Sequence, residues 1–295
     1  METQNINISN IIIETINNIF NQFFSSFDNT IYSVLDDIIF INTDIIDNTF
    51  LKVLGTSPSD GLLLISNSLV LGFILYYCFR LLFSHLLGIQ VQKPYQFIFK
   101  LIVYAILMNY SYFICENIIY LNSAVSSSIR FLGELLFKKN ICFSQLITHL
   151  DSIVALESKT LNIFSIDGLL KTVLSISLFN LVISYSFRYI LIKLFVMLTP
   201  FAILSLCTPS TSFFFKSWFR AFISALFIQH FVALILLIIF SVKLDNTILT
   251  KLIYIGSFYV LLKANNISKE LLGGITTEIN TNIKGLNSFR SIGKI

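Results

Sequence analysis

Residues 61–79 read GLLLISNSLVLGFILYYCF, a run without a charged residue. At a rise of ~1.5 Å per residue, a helix of this length just covers a hydrocarbon core of ~30 Å. Arg80 closes the run. Arg80, Lys93 and Lys100 then follow with no acid between 80 and 100, and Pro94 marks a turn. A second apolar run covers 101–121, with Tyr112 and Tyr120 placed as interface anchors. Glu116 near its end must reach the interface or face protein. Further along, 221–242 is another clean span and about 248–262 a shorter one. Composition agrees: 55% of the residues are hydrophobic, 12% are charged and mean hydropathy is +0.81. Soluble proteins carry roughly a quarter charged residues. The chain is predicted to be all-α, a polytopic membrane bundle of about five transmembrane helices embedded in the lipid bilayer.

Residues 1–60 are an acidic region with an amphipathic helix. Ile8, Ile12, Ile16, Ile19 and Phe23 fall on one side of a 3.6-residue period, with Asn10, Glu14, Asn17 and Asn21 opposite. So full a polar stripe cannot face acyl chains, and the segment lies in the interface or packs on a partner. METQNINISN lacks the basic start of a cleavable signal, so none is expected. Residues 61–121 form two transmembrane helices. Residues 122–168 are a polar insert with four bases and four acids. Apolar spacing around 129–137 and 146–156 predicts a hairpin of two amphipathic helices there. Residues 169–262 are the membrane core, with three spans or two spans plus a broken helix, and 263–295 form a basic tail.

The stretch 169–207 is ambiguous, because a continuous helix there is about 58 Å long, nearly twice the core thickness. Arg188 and Lys193 sit at its middle. Either two spans meet at Arg188, or one span at 169–187 is followed by an embedded or tilted segment that breaks at Pro200. Charge favours a single crossing. Residues 1–60 hold eight acids and one base, while the remainder holds nineteen bases and eight acids. The positive-inside rule puts 80–100 in the cytoplasm and the N-terminus outside. With one crossing, Arg188, Lys193, Lys216, Arg220 and the tail are all cytoplasmic; two crossings would put 208–220 and the tail outside. Five spans, N-terminus out and C-terminus in, with 122–168 and Asp44 external, satisfy the rule throughout.

No phosphate loop, dinucleotide fingerprint, zinc-protease helix or nucleophile elbow occurs. His85, His149 and His230 are far apart, and the four cysteines (Cys78, Cys115, Cys142, Cys207) form no ligand spacing. No catalytic residue, cofactor or metal is expected. Gln229 and His230 lie inside a span, where polar side chains hydrogen-bond between helices or mark a functional path.

Residues 179–242, FNLVISYSFRYILIKLFVMLTPFAILSLCTPSTSFFFKSWFRAFISALFIQHFVALILLIIFSV, resemble the signature region of the TrbL/VirB-type polytopic inner-membrane component of type IV secretion (conjugation) systems. The matching features are Arg188 before an apolar helix, Leu198-Thr199-Pro200-Phe201-Ala202, a small-residue turn, and Phe215-Lys216-Ser217-Trp218 entering the next span. The resemblance implies a channel or scaffold subunit in the bacterial cytoplasmic membrane. Its implied partners are other secretion-machine subunits, further copies of itself, and a translocated DNA–protein substrate met by the external insert. The insert's balanced charge departs from the basic surface that DNA contact calls for. Arg188, Lys193, Pro200, Lys216, Trp218, Arg220, Gln229 and His230 are the assembly candidates, Pro200 as a helix breaker and Trp218 as a headgroup anchor. A membrane transporter or a phage-type pore-forming protein is the alternative. Neighbouring genes discriminate: secretion ATPases and a relaxase mark conjugation, an endolysin lysis. The Ile, Asn, Phe and Lys bias is that of an AT-rich genome, as in bacteria of low GC content.

Overall fold

The computed structural model describes residues 29–46, 61–88, 93–146, 166–242 and 247–272, with isolated positions from 12 to 19. The described residues form helices α1 (Asn29–Ile39), α2 (Leu62–Leu87), α3 (Pro94–Asn109), α4 (Ser111–Phe137), α5 (Ile166–Leu204), α6 (Ser212–Ser241) and α7 (Ile248–Leu272). Short 3-10 turns at Thr43–Ile45 and Ser205–Cys207 complete them. The chain is an all-α bundle. Among the described residues, three helices are long and apolar enough to cross a membrane, or four if α3 and α4 count as one bent span. That is fewer than the five expected: α3–α4 is broken, and α7 is not among the three.

Each expected span differs from its helix for a local reason. Arg80 does not end the first one. The helix runs on to Leu87 and stops at Gly88, whose φ of 63° is the left-handed geometry glycine supplies at a helix end. The second is divided at Tyr110, where α3 and α4 meet at 60°. Asn109, the last residue of α3, turns its side chain back on the Ala105 carbonyl at 2.8 Å. Helix α4 then continues to Phe137, so residues 122–137 are bundle, not insert. Their polarity misled because Asn122, Ser126 and Gly133 are buried on one face, the small-residue seam that lets membrane helices approach closely. Lys138, at φ 54°, turns the chain, and Ile141, Phe143 and Leu146 pack back into the core. The second helix expected over 146–156 lies outside the described residues except at Leu146.

The ambiguous 169–207 is one α-helix to Leu204, closed by the 3-10 turn Ser205–Cys207. There is no turn at Arg188, and Pro200 lies inside α5. The proline leaves the Val196 carbonyl without its ladder donor, but its surroundings are filled. The neighbouring Phe195 carbonyl accepts the Trp218 indole N–H and the Thr199 hydroxyl, both at 2.9 Å. Helix α7 extends ten residues beyond the 248–262 expected, and the tail from 273 lies outside the described residues. Of the amphipathic 8–27 segment, Ile12, Thr15, Ile16, Asn18 and Ile19 are helical and exposed; the rest lies outside the description.

Helices α4, α5, α6 and α7 pack side by side, and Leu35, Ile39, Ile41, Ile45 and Ile46 are buried against α4, α5 and α6. Helices α2 and α3 lean on the C-terminal end of α5 through Tyr77, Phe97 and Leu101. Large apolar side chains on the outer faces, such as Leu71, Leu82, Phe99 and Ile238, are more than half exposed, as lipid-facing residues are. The protein is a multi-pass membrane protein. A Cβ on Gly133 would collide with Leu237 on α6 and with Ile141. Gly133→Val is therefore expected to cost about 1–3 kcal/mol by overpacking, read as a lower melting temperature in detergent. Gly72→Val, at a position with nothing within 4 Å, should leave it unchanged.

Candidate functional site

Of the sequence candidates, Arg188 and Gln229 hold neighbouring points of one bend. Arg188 is 1% exposed. It lies on α5 inside the apolar stretch Ile176–Cys207, about 18 Å of helix from one end and about 28 Å from the other. It is enclosed by the bundle, within a helix that continues on both sides of it. Its Nε donates to the Ala225 carbonyl at 2.6 Å and its Nη2 to that of Leu226 at 3.4 Å, both on α6. Its Nη1 donates to the Ile39 carbonyl, the last of α1, at 2.9 Å. The Tyr185 ring lies 5.9 Å from Cζ. No carboxylate of the described residues joins this set, so backbone dipoles from two elements surround the charge. A planar fork with separated donors suits this work; a point ammonium does not.

Gln229 extends the network. Its Oε1 accepts the Ile41 N–H at 3.1 Å, while its Nε2 donates to the Asn122 carbonyl at 3.1 Å and to the Ser126 hydroxyl at 3.2 Å. Asn122 Nδ2 in turn donates to the Leu226 carbonyl at 3.2 Å. Arg188 and Gln229 thus hold Ile39 C=O and Ile41 N–H on either side of Phe40, where the chain leaves α1 and its own ladder ends. Buried backbone groups need such partners. Asn122, Ser126 and the 39–41 bend were missing from the sequence candidates. Their one sequence signal is the spacing of Asn122, Ser126 and Gly133 along one side of α4.

The remaining candidates do not join the network. His230 is buried one residue on, but its Nδ1 stays within its own turn, 3.3 Å from the Phe227 carbonyl. Lys193 sits half-buried with Nζ 4.6 Å over the Tyr189 ring. Lys216 and Arg220 are exposed on α6. Pro200 is buried within α5. Trp218 is 5% exposed, stacked on Phe222 at 5.4 Å and bonded to α5, so it packs inside the bundle. Trp218→Phe should cost about 0.6–1 kcal/mol for the lost N–H bond, and Trp218→Ala about 3–5 kcal/mol. Thermal unfolding in detergent reads both; an anchor without packing would leave Trp218→Ala as stable as the wild type.

Chemically, the network is closed. Each nitrogen of the Arg188 guanidinium has a carbonyl partner, and the network presents no nucleophile, acid or base. Among the described residues no three His, Cys, Asp or Glu side chains gather as a metal site, and all four cysteines are free. No protein-family model, curated protein or solved structure matches this chain. What the arrangement can do is fix the relative positions of α1, α4, α5 and α6.

Proposed function

We propose that this protein is a non-enzymatic channel or scaffold subunit of a type IV secretion machine, a conjugative DNA-transfer system in the bacterial cytoplasmic membrane. The observation that carries this function is the resemblance of residues 179–242 to the TrbL/VirB-type signature. The stretch forms an α5–α6 hairpin whose arginine, threonine–proline and tryptophan are all used in internal packing. A scaffold needs such rigidity, and a closed polar network suits a structural element better than a reaction centre. Further copies of the chain, other machine subunits and the DNA–protein substrate are the partners this function implies.

The test is deletion of the gene. Transfer of the element should stop, while growth and relaxase nicking at the origin continue. Normal transfer frequency in the deletion strain ends the proposal, and transfer restored by a plasmid copy excludes a polar effect on neighbouring genes.

A further inference from the structure

Hydrogen bonds fix the levels of the helices against one another. Helices α4 and α6 run parallel: Asn122 reaches the Leu226 carbonyl, Ser126 meets Gln229, and Gly133 lies against Leu237. Helix α5 runs antiparallel, with Phe195 level with Trp218 and Arg188 level with Ala225. Residues 36–46 can be placed on this ruler. The Asp36 carboxylate accepts the Phe143 N–H at 3.0 and 3.1 Å, and nearby Ile141 sits beside Gly133 and Leu237. Asp36 is thus toward the Ser241 end of α6. Ile39 and Ile41 meet Arg188 and Gln229 midway. The Ile46 carbonyl accepts the Tyr112 hydroxyl at 2.8 Å. Tyr112 is in the first turn of α4, which the parallel register puts level with Lys216.

From Leu237 to Lys216 is about 31 Å of helix, the thickness of a hydrocarbon core. From Asp36 to Ile46 the chain has a helical turn, an extended stretch and a 3-10 turn. Together these reach roughly 24 Å, and the Asp36 and Tyr112 side chains cover the remainder. Along this path Leu35, Ile39, Ile41, Ile45 and Ile46 are all buried. Non-helical backbone at membrane depth is tolerated only when protein encloses it or when it lines a wet cavity. Here Arg188 and Gln229 satisfy the break, while Asp37 and Asp44 line an open cavity of about 520 Å³ bounded by Ser186, Tyr189 and Ile190 of α5.

Asn109 is 3.5 Å from Asn67, and Phe97 stacks on Tyr77 at 4.0 Å, so α2 and α3 are antiparallel. The start of α2 therefore lies beside the α3–α4 junction, at the Tyr112 end, where Ile46 also is. We infer that residues 29–46 cross the membrane as a broken segment, and that the α2–α3 hairpin begins and ends on the face bearing Lys216. The crossings are then 29–46, α4, α5, α6 and α7. This places Asp44 on the face opposite to the one that charge counting gives it, and puts Tyr77 and Phe97 of the hairpin beside Ile203, Leu204 and Cys207 near the Lys216 face. The inference does not depend on the proposed function.

The test uses the full-length protein in a cysteine-free background and an impermeant maleimide on whole cells. Asn29→Cys and Lys139→Cys should label, while Asp44→Cys, Asp60→Cys and Lys216→Cys should label only after permeabilisation. Asp44→Cys and Asp60→Cys labelling together with Lys139→Cys in intact cells would overturn the inference. Complementary insertions after Ser57 guard against misfolded variants. A fluorescent protein that matures only in the cytoplasm should glow. Alkaline phosphatase, active only outside, should be silent, and its activity would equally overturn the inference.

Discussion

Arg188→Lys is expected to destabilise the protein more than Arg188→Met. Lysine keeps the charge, but its single ammonium cannot meet Ala225, Leu226 and Ile39 together, three carbonyls on two elements. It is left charged, enclosed and under-bonded, the costly case for a buried ion. Methionine removes the charge with the bonds. The carbonyls of Ala225 and Leu226 keep their own helix ladder, so Ile39 C=O is the main orphan. Three hydrogen bonds at the membrane-protein average of ~0.6 kcal/mol give about 2 kcal/mol. Charge-assisted bonds at ~1.5–3 kcal/mol each give more than twice that. The larger figure suits a side chain this enclosed. Melting temperature in detergent and protein level in the membrane should fall in the order wild type, Arg188→Met, Arg188→Lys. If Arg188→Lys matches the wild type and Arg188→Met is the weak one, positive charge matters and the fork does not. Since Arg188 is sealed inside its own chain, any loss of assembly with partners should follow this loss of stability.

Much of the bundle is visible in the sequence for a physical reason: apolar runs without charge have no other stable home than lipid. Helices α2 and α6 announce themselves in this way. Three features are hidden, each because a polar residue serves the interior. Arg188 looks like a boundary but is held by carbonyls, which leave no trace in composition. Asn122 and Ser126 look like the start of a polar insert but form a helix seam. Residues 29–46, with Asp36, Asp37 and Asp44, look like an external acidic segment, yet Ile39 and Ile41 are fully enclosed. Of the site, Arg188 and Gln229 are recognisable alone as costly intramembrane polar residues. Their common target at Ile39–Ile41 requires a contact between parts of the chain far apart in sequence, which no local pattern records.

That common target makes Gln229 the second large effect. Gln229→Leu removes three hydrogen bonds, but they are unequal. The Asn122 carbonyl lies within α4, and the Ser126 hydroxyl already donates to Ser123 at 3.0 Å. Only the Ile41 N–H loses everything, and a buried orphan donor costs about 1–3 kcal/mol. The loss should be local before it is global. With Thr43→Cys as reporter, Gln229→Leu should speed maleimide labelling in detergent as the 39–46 segment loosens. Gly133→Val, which strains the α4–α6 seam instead, should not do so at matched stability. Arg188 and Gln229 pin one bend, so once either is gone the other has less to hold. The double variant Arg188→Met/Gln229→Leu should therefore be more stable than the sum of the single losses implies, by at least ~0.5 kcal/mol, the scale of coupling between residues in one network. Strict additivity would mean that the two side chains stabilise separate parts of the bundle, and that the bend at Phe40 is not the unit they share.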